Sequence, residues 1–257
     1  MAASGTVNSR RRPPSPVGSV LQTWRGHRGM SQLDLSAASG VTPRHVSFVE
    51  TGRSAPSREL LHTLAEALEM PLRDRNDLFL AAGYAPPYRR LEPDNDELRE
   101  VLAAFDRILS SHEPLPGVVM DRHWNLVKAN DSAQRLFGAM VDLSALDQPA
   151  NVLRLVFGPL RERIANWSEL APALLARARR ESVGGVPDPE LQTMLDELSA
   201  QLPDGGRPPV AQGPVIDVAF DLDGQVERYF STVTTLGTAA DVGLQELRVE
   251  LFHPHSG

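Results

Sequence analysis

Residues 31–53, SQLDLSAASGVTPRHVSFVETGR, carry the densest set of local folding signals in the chain. Ser31 stands as an N-cap, and Asp34 falls at the third helical position of a capping box. Met30 and Leu35 flank that cap at the spacing of a hydrophobic staple, which Val41 and Val46 repeat. Gly40 supplies the left-handed residue that ends the first helix. Thr42 caps a second helix, and Pro43 occupies its first turn, where a missing N–H costs nothing. Gly52 closes it.

Two short capped helices across one glycine predict a helix-turn-helix. On the second helix Val46 and Val49 face a core, while Arg44, Ser47, Phe48 and Thr51 recur at i, i+3, i+4 and i+7. That second face suits a major groove, where Arg makes paired hydrogen bonds to guanine. The stretch resembles the Xre/Cro-type helix-turn-helix of bacterial and phage repressors. Ser31-Gln32, Ala37, Gly40-Val41-Thr42, Val46, Glu50 and Gly52-Arg53 carry the likeness. With the register of the helix, it implies a DNA-binding set of Gln32, Thr42, Pro43, Arg44, His45, Ser47, Phe48 and Arg53. Gln32 and Arg53 match phosphate contacts, and Glu50 matches a structural position. Arg44 is either a base reader or an ordinary exposed Arg. Phe48 either meets a thymine methyl or turns into the core. His45 is a polar surface residue first and a DNA contact second.

At 257 residues the chain has room for two modest domains, and its 41% apolar content suits a globular protein. It has no cysteine, which excludes disulfides, thiol redox sensing and iron–sulfur chemistry. No apolar run approaches the ~18 residues of a membrane span. The N-terminal arginines have no apolar segment behind them, so no secretory signal is expected and the cytoplasm is. Lys128 is the single lysine. The net charge of −7 is unevenly spread. Residues 1–90 hold 12 Arg against 7 acids, and residues 91–257 hold 14 basic groups against 26 acids. The basic part is the part with the helix-turn-helix, as phosphate binding requires.

Residues 1–13, with Arg10-Arg11-Arg12, read as a disordered basic arm or as a minor-groove contact. Val17, Val20, Leu21 and Trp24 mark a first helix, and Ser57 caps a fourth carrying Leu60, Leu61, Leu64 and Leu68. A fifth is expected from Asp74 to Ala82, completing an all-α five-helix domain over residues 14–84. Pro86, Pro87 and Pro93 stiffen a linker at 85–94. A helix over 95–111 has a wide apolar stripe, for the next domain or for a second copy of itself. Beyond Gly117 the order is two strands, helices over 149–202 broken at Gly158-Pro159, Pro172 and Gly184-Gly185, a Pro/Gly loop at 203–214, and three strands at 215–221, 225–235 and 243–252. Asp223-Gly224 marks a hairpin turn. This is an α+β, PAS-like order over 95–254: a five-stranded antiparallel sheet with helices on one face.

The segments VVMDRHWNLVKAN…LF, NVLRLVFGPLRERIANW and LGTAADVGLQELRVELFHP resemble the ligand-binding half of MmyB-like transcription regulators. Asn151, Arg154, Arg161 and Trp167 match that pattern. The resemblance implies a fatty-acid-like or other elongated apolar effector. Trp124, Phe157, Ile164 and Trp167 would wall its pocket, and Asn130, Arg154 or Arg161 would hold a polar head. The plain alternatives are core positions for the apolar residues and a surface ion pair for Arg154.

No metal, cofactor or catalytic constellation is expected. His253-Pro-His255 offers two ligands on a chain end, and Asp221 with Asp223 lacks the further oxygens of a calcium loop. His112 and His123 are poorly placed as haem ligands. The expected function is a dimeric regulator that binds an operator in duplex DNA and senses an apolar effector, and not an enzyme. The alternatives are a small-molecule enzyme or a ligand-free interaction protein with a DNA-binding head.

Overall fold

The computed structural model describes residues 15–90, 96–181, 188–203, 215 and 217–255. The expected arm at 1–13, the break at Gly184-Gly185, the end of the linker and most of the loop at 203–214 lie outside the described residues. Two compact units divide between Tyr88 and Arg89. Among the described residues no helix is long and apolar enough to cross a membrane.

The first unit holds α1 (Pro16–His27), α2 (Gln32–Ser39), α3 (Pro43–Glu50), α4 (Arg58–Ala67) and α5 (Leu72–Ala81). The caps are those the sequence predicts. Ser31 and Asp34 form a reciprocal capping box, Thr42 and Ser57 accept from His45 N and Leu60 N, and Gly40 is left-handed at φ 71°. Leu21, Leu35, Val46, Val49, Leu64 and Phe79 fill the core. The α5 helix starts two residues before the expected Asp74.

One buried carboxylate ties the first three helices together. Glu50 Oε1 accepts from Arg25 Nε at 2.8 Å, and its Oε2 accepts from Arg25 Nη2 at 3.1 Å and from Gln32 Nε2 at 2.8 Å. Gly18 lets α1 approach this point, since a Cβ there would lie 2.1 Å from the Glu50 carbonyl oxygen.

The start of the expected linker is folded. Tyr84 donates its hydroxyl to Pro56 O, and Tyr88 exchanges two hydrogen bonds with the Asn76 side chain. Arg89 belongs to the second unit, where its carbonyl accepts from Val242 N at 3.0 Å.

The second unit holds α6 (Asp96–Ser111), β1 (Gly117–Met120), β2 (Leu126–Ala129), α7 (Asp131–Gly138), α8 (Val152–Phe157), α9 (Trp167–Glu181), α10 (Pro189–Ser199), β3 (Val218–Leu222), β4 (Gln225–Thr235), α11 (Val242–Gln245) and β5 (Arg248–Pro254). The sheet order is β2-β1-β5-β4-β3, antiparallel throughout. Asp223 and Gly224 both take positive φ, as the tightest hairpin turns require.

Three expectations change. Residues 242–245 form a helix capped by Asp241, so the last strand starts at Arg248. The α9 helix runs through Pro172, which is buried. Helices cover both sheet faces and not one. Val118 and Met120 face the main core with α7 to α10, whereas Val119 and Val249 face Phe105 and Leu109 of α6. The wide stripe of α6 is used here, because strand residues alternate sides and both sides of β1 and β5 are apolar.

Asn130 locks the junction of β1, α6 and α7. Its Oδ1 accepts from Gly117 N and Ala133 N, and its Nδ2 donates to Leu109 O and Leu115 O.

Unfolding in urea followed by circular dichroism ranks these contacts. Glu50→Ala leaves a half-buried guanidinium unpaired and should cost roughly 3 kcal/mol. Asn130→Ala strands buried backbone groups and should cost about 2–3 kcal/mol. Arg154→Ala removes only an exposed ion pair to Glu197 and should cost less than about 1 kcal/mol. A loss for Arg154→Ala equal to the other two would refute this ranking.

Candidate nucleic-acid interface and ligand cavity

The α3 helix turns Val46 and Val49 inward, leaving Thr42, Pro43, Arg44, His45 and Arg53 exposed and Ser47 and Phe48 half-buried. Phe48 does not turn fully into the core and stays half-buried. Two guanidiniums lie over its ring, with Arg44 Cζ 5.2 Å and Arg53 Cζ 5.8 Å from the ring centroid. Among the described residues neither Arg has a carboxylate partner. A cation held only over an aromatic face keeps its hydrogen-bond donors for an outside acceptor. Gln32 is half-buried and spends an amide proton on Glu50, so that side chain also braces the helix pair.

In the second unit a cavity of about 600 Å³ opens between the sheet and the α8–α9 cover. Leu126, Leu146, Val152, Leu155, Leu174 and Phe220 supply apolar wall, and Gln148, Arg177, Arg180, Tyr229, Ser231 and Glu250 supply polar groups. Of the seven residues expected to bind a ligand, Trp124 lines it. The β1–β2 turn aims that ring inward. Asp121 Oδ1 accepts from His123 N and Asn125 N, and Trp124 is held at φ 68°, a rare conformation for a bulky residue.

The other six do not line the cavity. Asn130 is consumed by its backbone bonds. Arg154 is exposed beside Glu197 at 3.4 Å. Phe157 and Trp167 meet edge to face at 5.5 Å, and Trp167 donates to Val156 O. Arg161 lies 4.1 Å over the Trp167 ring, and Ile164 is buried in a backbone bridge to Phe220. These residues brace the corner from α8 into α9. The short α8 offers the cavity Val152, Leu155 and Val156 and turns Phe157 away from it.

The polar end of the cavity was missed from the sequence. Its signal was present: Leu170, Leu174 and Arg177 fall one helical turn apart, and Glu250 interrupts an apolar strand. Arg177 donates to Glu250 through Nη1 at 2.8 Å and Nη2 at 3.1 Å, and to Glu181 through Nε at 2.6 Å. Ser231 Oγ donates to Glu250 Oε1 at 2.5 Å. Burial works against the Arg177 charge, but its bonds to Glu250 and Glu181 outweigh burial and hold it above the usual arginine value. Arg248 reaches Glu181 with Nη1 at 3.1 Å and lies 4.1 Å over Trp124. Burial lowers the Arg248 value, and the nearby Arg177 adds to that. Burial and Glu227 push the Tyr229 phenol up to about 12, so it stays neutral.

His123, Asp188 and Glu190 bring three potential ligand atoms within 4.8 Å of one another. Arg122 already lies against Asp188 and fills the place a metal cation would take. Burial, then Arg122, hold the His123 imidazole below its ordinary value.

Comparison with known proteins matches both units. A helix-turn-helix model fits residues 21–74, and the model of the MmyB-like transcription regulator ligand binding domain fits residues 101–257. Two curated relatives are endothelial differentiation-related factor 1 homologs. The one from Gallus gallus is 31% identical over 65 residues, covering 25% of this chain and 44% of that protein. The one from Danio rerio is 28% identical over 68 residues, covering 26% and 47%. The chain thus spans under half the length of these relatives. A solved RNA-binding light-oxygen-voltage receptor aligns over 93% of this chain and 60% of its own, at 14% identity and a TM-score of 0.28. With an Xre-type helix-turn-helix in the first unit and that ligand-binding domain in the second, the chain belongs to the MmyB-like transcription regulators.

Proposed function

We propose that the protein is a sequence-specific DNA-binding regulator, acting as a homodimer, whose operator affinity answers to a small, elongated apolar effector of fatty-acid type. The observation that carries the DNA reading is the pair of exposed arginines, Arg44 and Arg53, held over the Phe48 ring without a carboxylate partner among the described residues. Arg44, near the start of α3, is placed to read a base edge, and Arg53, beyond the glycine cap, to meet phosphate. Thr42, Pro43, His45 and Ser47 flank them, and the N-terminus of α2 at Gln32 offers free N–H groups to a phosphate. A single module of this kind buries about 600–1,000 Å² on DNA, too little for tight specificity, which favours two copies on half-sites one turn apart.

The cavity supports the effector reading. Its volume of about 600 Å³ and largely apolar wall suit a small elongated molecule. Such a ligand regulates only by binding two states unequally, and about 1–3 kcal/mol of coupling changes operator affinity roughly 5- to 150-fold.

A preferred duplex selected from a random pool, compared with random duplex, tests the DNA reading. Arg44→Ala should cost about 1–3 kcal/mol on the selected duplex and relax preference at one base position. Arg53→Ala should weaken both duplexes alike and lower the salt slope by about one. Equal losses on the two duplexes for Arg44→Ala would remove it as a base reader. For the effector, the thermal midpoint of the second unit in the full chain should rise with the concentration of a medium-chain fatty acid. No shift with any apolar compound would leave a ligand-free scaffold.

A further inference from the structure

We infer that Phe48 is a positioning residue for DNA recognition: its ring presents Arg44 and Arg53 to the duplex as one preset pair and reads no base itself. This rests on the DNA reading above and deepens it.

The two arginines are nine residues apart and reach the same ring by different routes. Arg44 stands one helical turn before Phe48 on α3. A helical side chain leans toward the N-terminus, so the ring covers the turn that carries Arg44. Arg53 comes from beyond the helix. Gly52 takes φ 68°, which ends α3, and Phe48 O accepts from Arg53 N at 2.8 Å and from Ser54 N at 3.1 Å. Phe48 therefore fixes Arg53 twice, through its carbonyl and through its ring. The two Cζ atoms lie 5.2 and 5.8 Å from the centroid, within reach of a cation–π contact.

Other guanidiniums of the first unit are used differently. Arg25 donates to Glu50 and Met30 O, and Arg28 to Leu68 O and Glu69 O. Those bonds hold the fold and consume donors. An aromatic ring holds a cation without consuming any N–H. A long arginine otherwise gives up rotamer freedom when it binds, and holding it beforehand removes part of that cost. The charge of the pair adds direction. Two cations gathered at one ring repel each other, and an anionic backbone beside them relieves that repulsion.

A thymine contact would compete for the same surface. Phe48 is half-buried, and a ring with two guanidiniums over it has little face left for a base methyl.

The test uses the full-length protein with the selected and random duplexes named above. In the free protein the ring current should move the Arg44 and Arg53 side-chain resonances upfield, and Phe48→Leu, which keeps apolar bulk, should abolish those shifts. One cation–π contact at an exposed site corresponds to about a two- to fivefold change in affinity, so Phe48→Leu should weaken the selected duplex about 5- to 25-fold. Phe48→Tyr, which restores an aromatic face, should bind as the native protein does. On the Arg44→Ala/Arg53→Ala background Phe48→Leu should cost nothing further, as a residue acting only through those two must. Replacing thymine by deoxyuridine throughout the selected duplex should change the native protein and Phe48→Leu by the same factor. The inference is overturned by a Phe48→Leu variant that binds as the native protein does. It is overturned equally by a loss that persists without the two arginines, the mark of damage to the fold. A deoxyuridine penalty larger for the native protein than for Phe48→Leu, the mark of a direct methyl contact, overturns it too. If Arg44→Ala and Arg53→Ala leave affinity unchanged, the DNA reading fails and this inference fails with it. If they weaken binding and Phe48→Leu does not, only this inference falls.

Discussion

The Glu50 side chain is 1% exposed, and removing a carboxylate from water costs several kcal/mol unless donors replace the lost hydration. Arg25 and Gln32 replace it, from α1 and from the first turn of α2. The geometry of the helix-turn-helix follows from that requirement. For all three groups to meet, the C-terminus of α3 must lie against α1, which the missing Cβ of Gly18 permits. With α3 so placed, Val46 and Val49 are buried and Arg44, Phe48 and Arg53 are left outside. A carboxylate displaced from this point would lose the donors that replace its hydration, which ties the position of α3 to Arg25 and Gln32.

The second unit repeats the device and adds a remainder. Glu250 is met by the Arg177 fork and by Ser231, and Glu181 joins Arg177 to Arg248. Here one side chain is left with a remainder: Arg248 keeps two donors, Nε and Nη2, without a hydrogen-bond partner. Natural folds tolerate such remainders chiefly where function uses them. Next to this cluster the cavity takes Trp124 from the left-handed turn of β1–β2 and Val152, Leu155 and Val156 from the short α8 into its wall.

The chain between the units is shared out at a single peptide. Tyr88 is fastened to Asn76 of the first unit, and Arg89 to Val242 of the second. Val242 begins α11, and α11 leads within a few residues into Arg248.

Local chemistry determined the first unit from sequence. The starts of α2, α3 and α4 carry their own caps, and capping is settled within four residues, so Ser31, Gly40, Thr42 and Ser57 announced their elements without tertiary help, whereas α5, which starts after Pro71 with no side-chain cap, began earlier than expected. The succession of strands and helices in the second unit was legible too, helped by the Asp223-Gly224 turn, but the pairing of β1 with β5 was not, since it joins residues far apart in the chain. The ligand residues were not. Trp124, Phe157, Ile164 and Trp167 look alike in sequence, because apolar spacing states that a residue is buried and not what it is buried against. Only the tertiary structure decided that Trp124 faces the cavity while Phe157 and Trp167 face each other. Likewise Arg154, Arg161, Arg177, Arg180 and Arg248 are five arginines in an acidic half. Packing alone assigned one to a surface ion pair, one to an aromatic face and one to Glu250, left Arg180 exposed, and buried Arg248 with two donors unsatisfied. The side-chain partners of an arginine are set by contacts between distant residues, such as 177 with 250 and 181 with 248, and no local pattern encodes those.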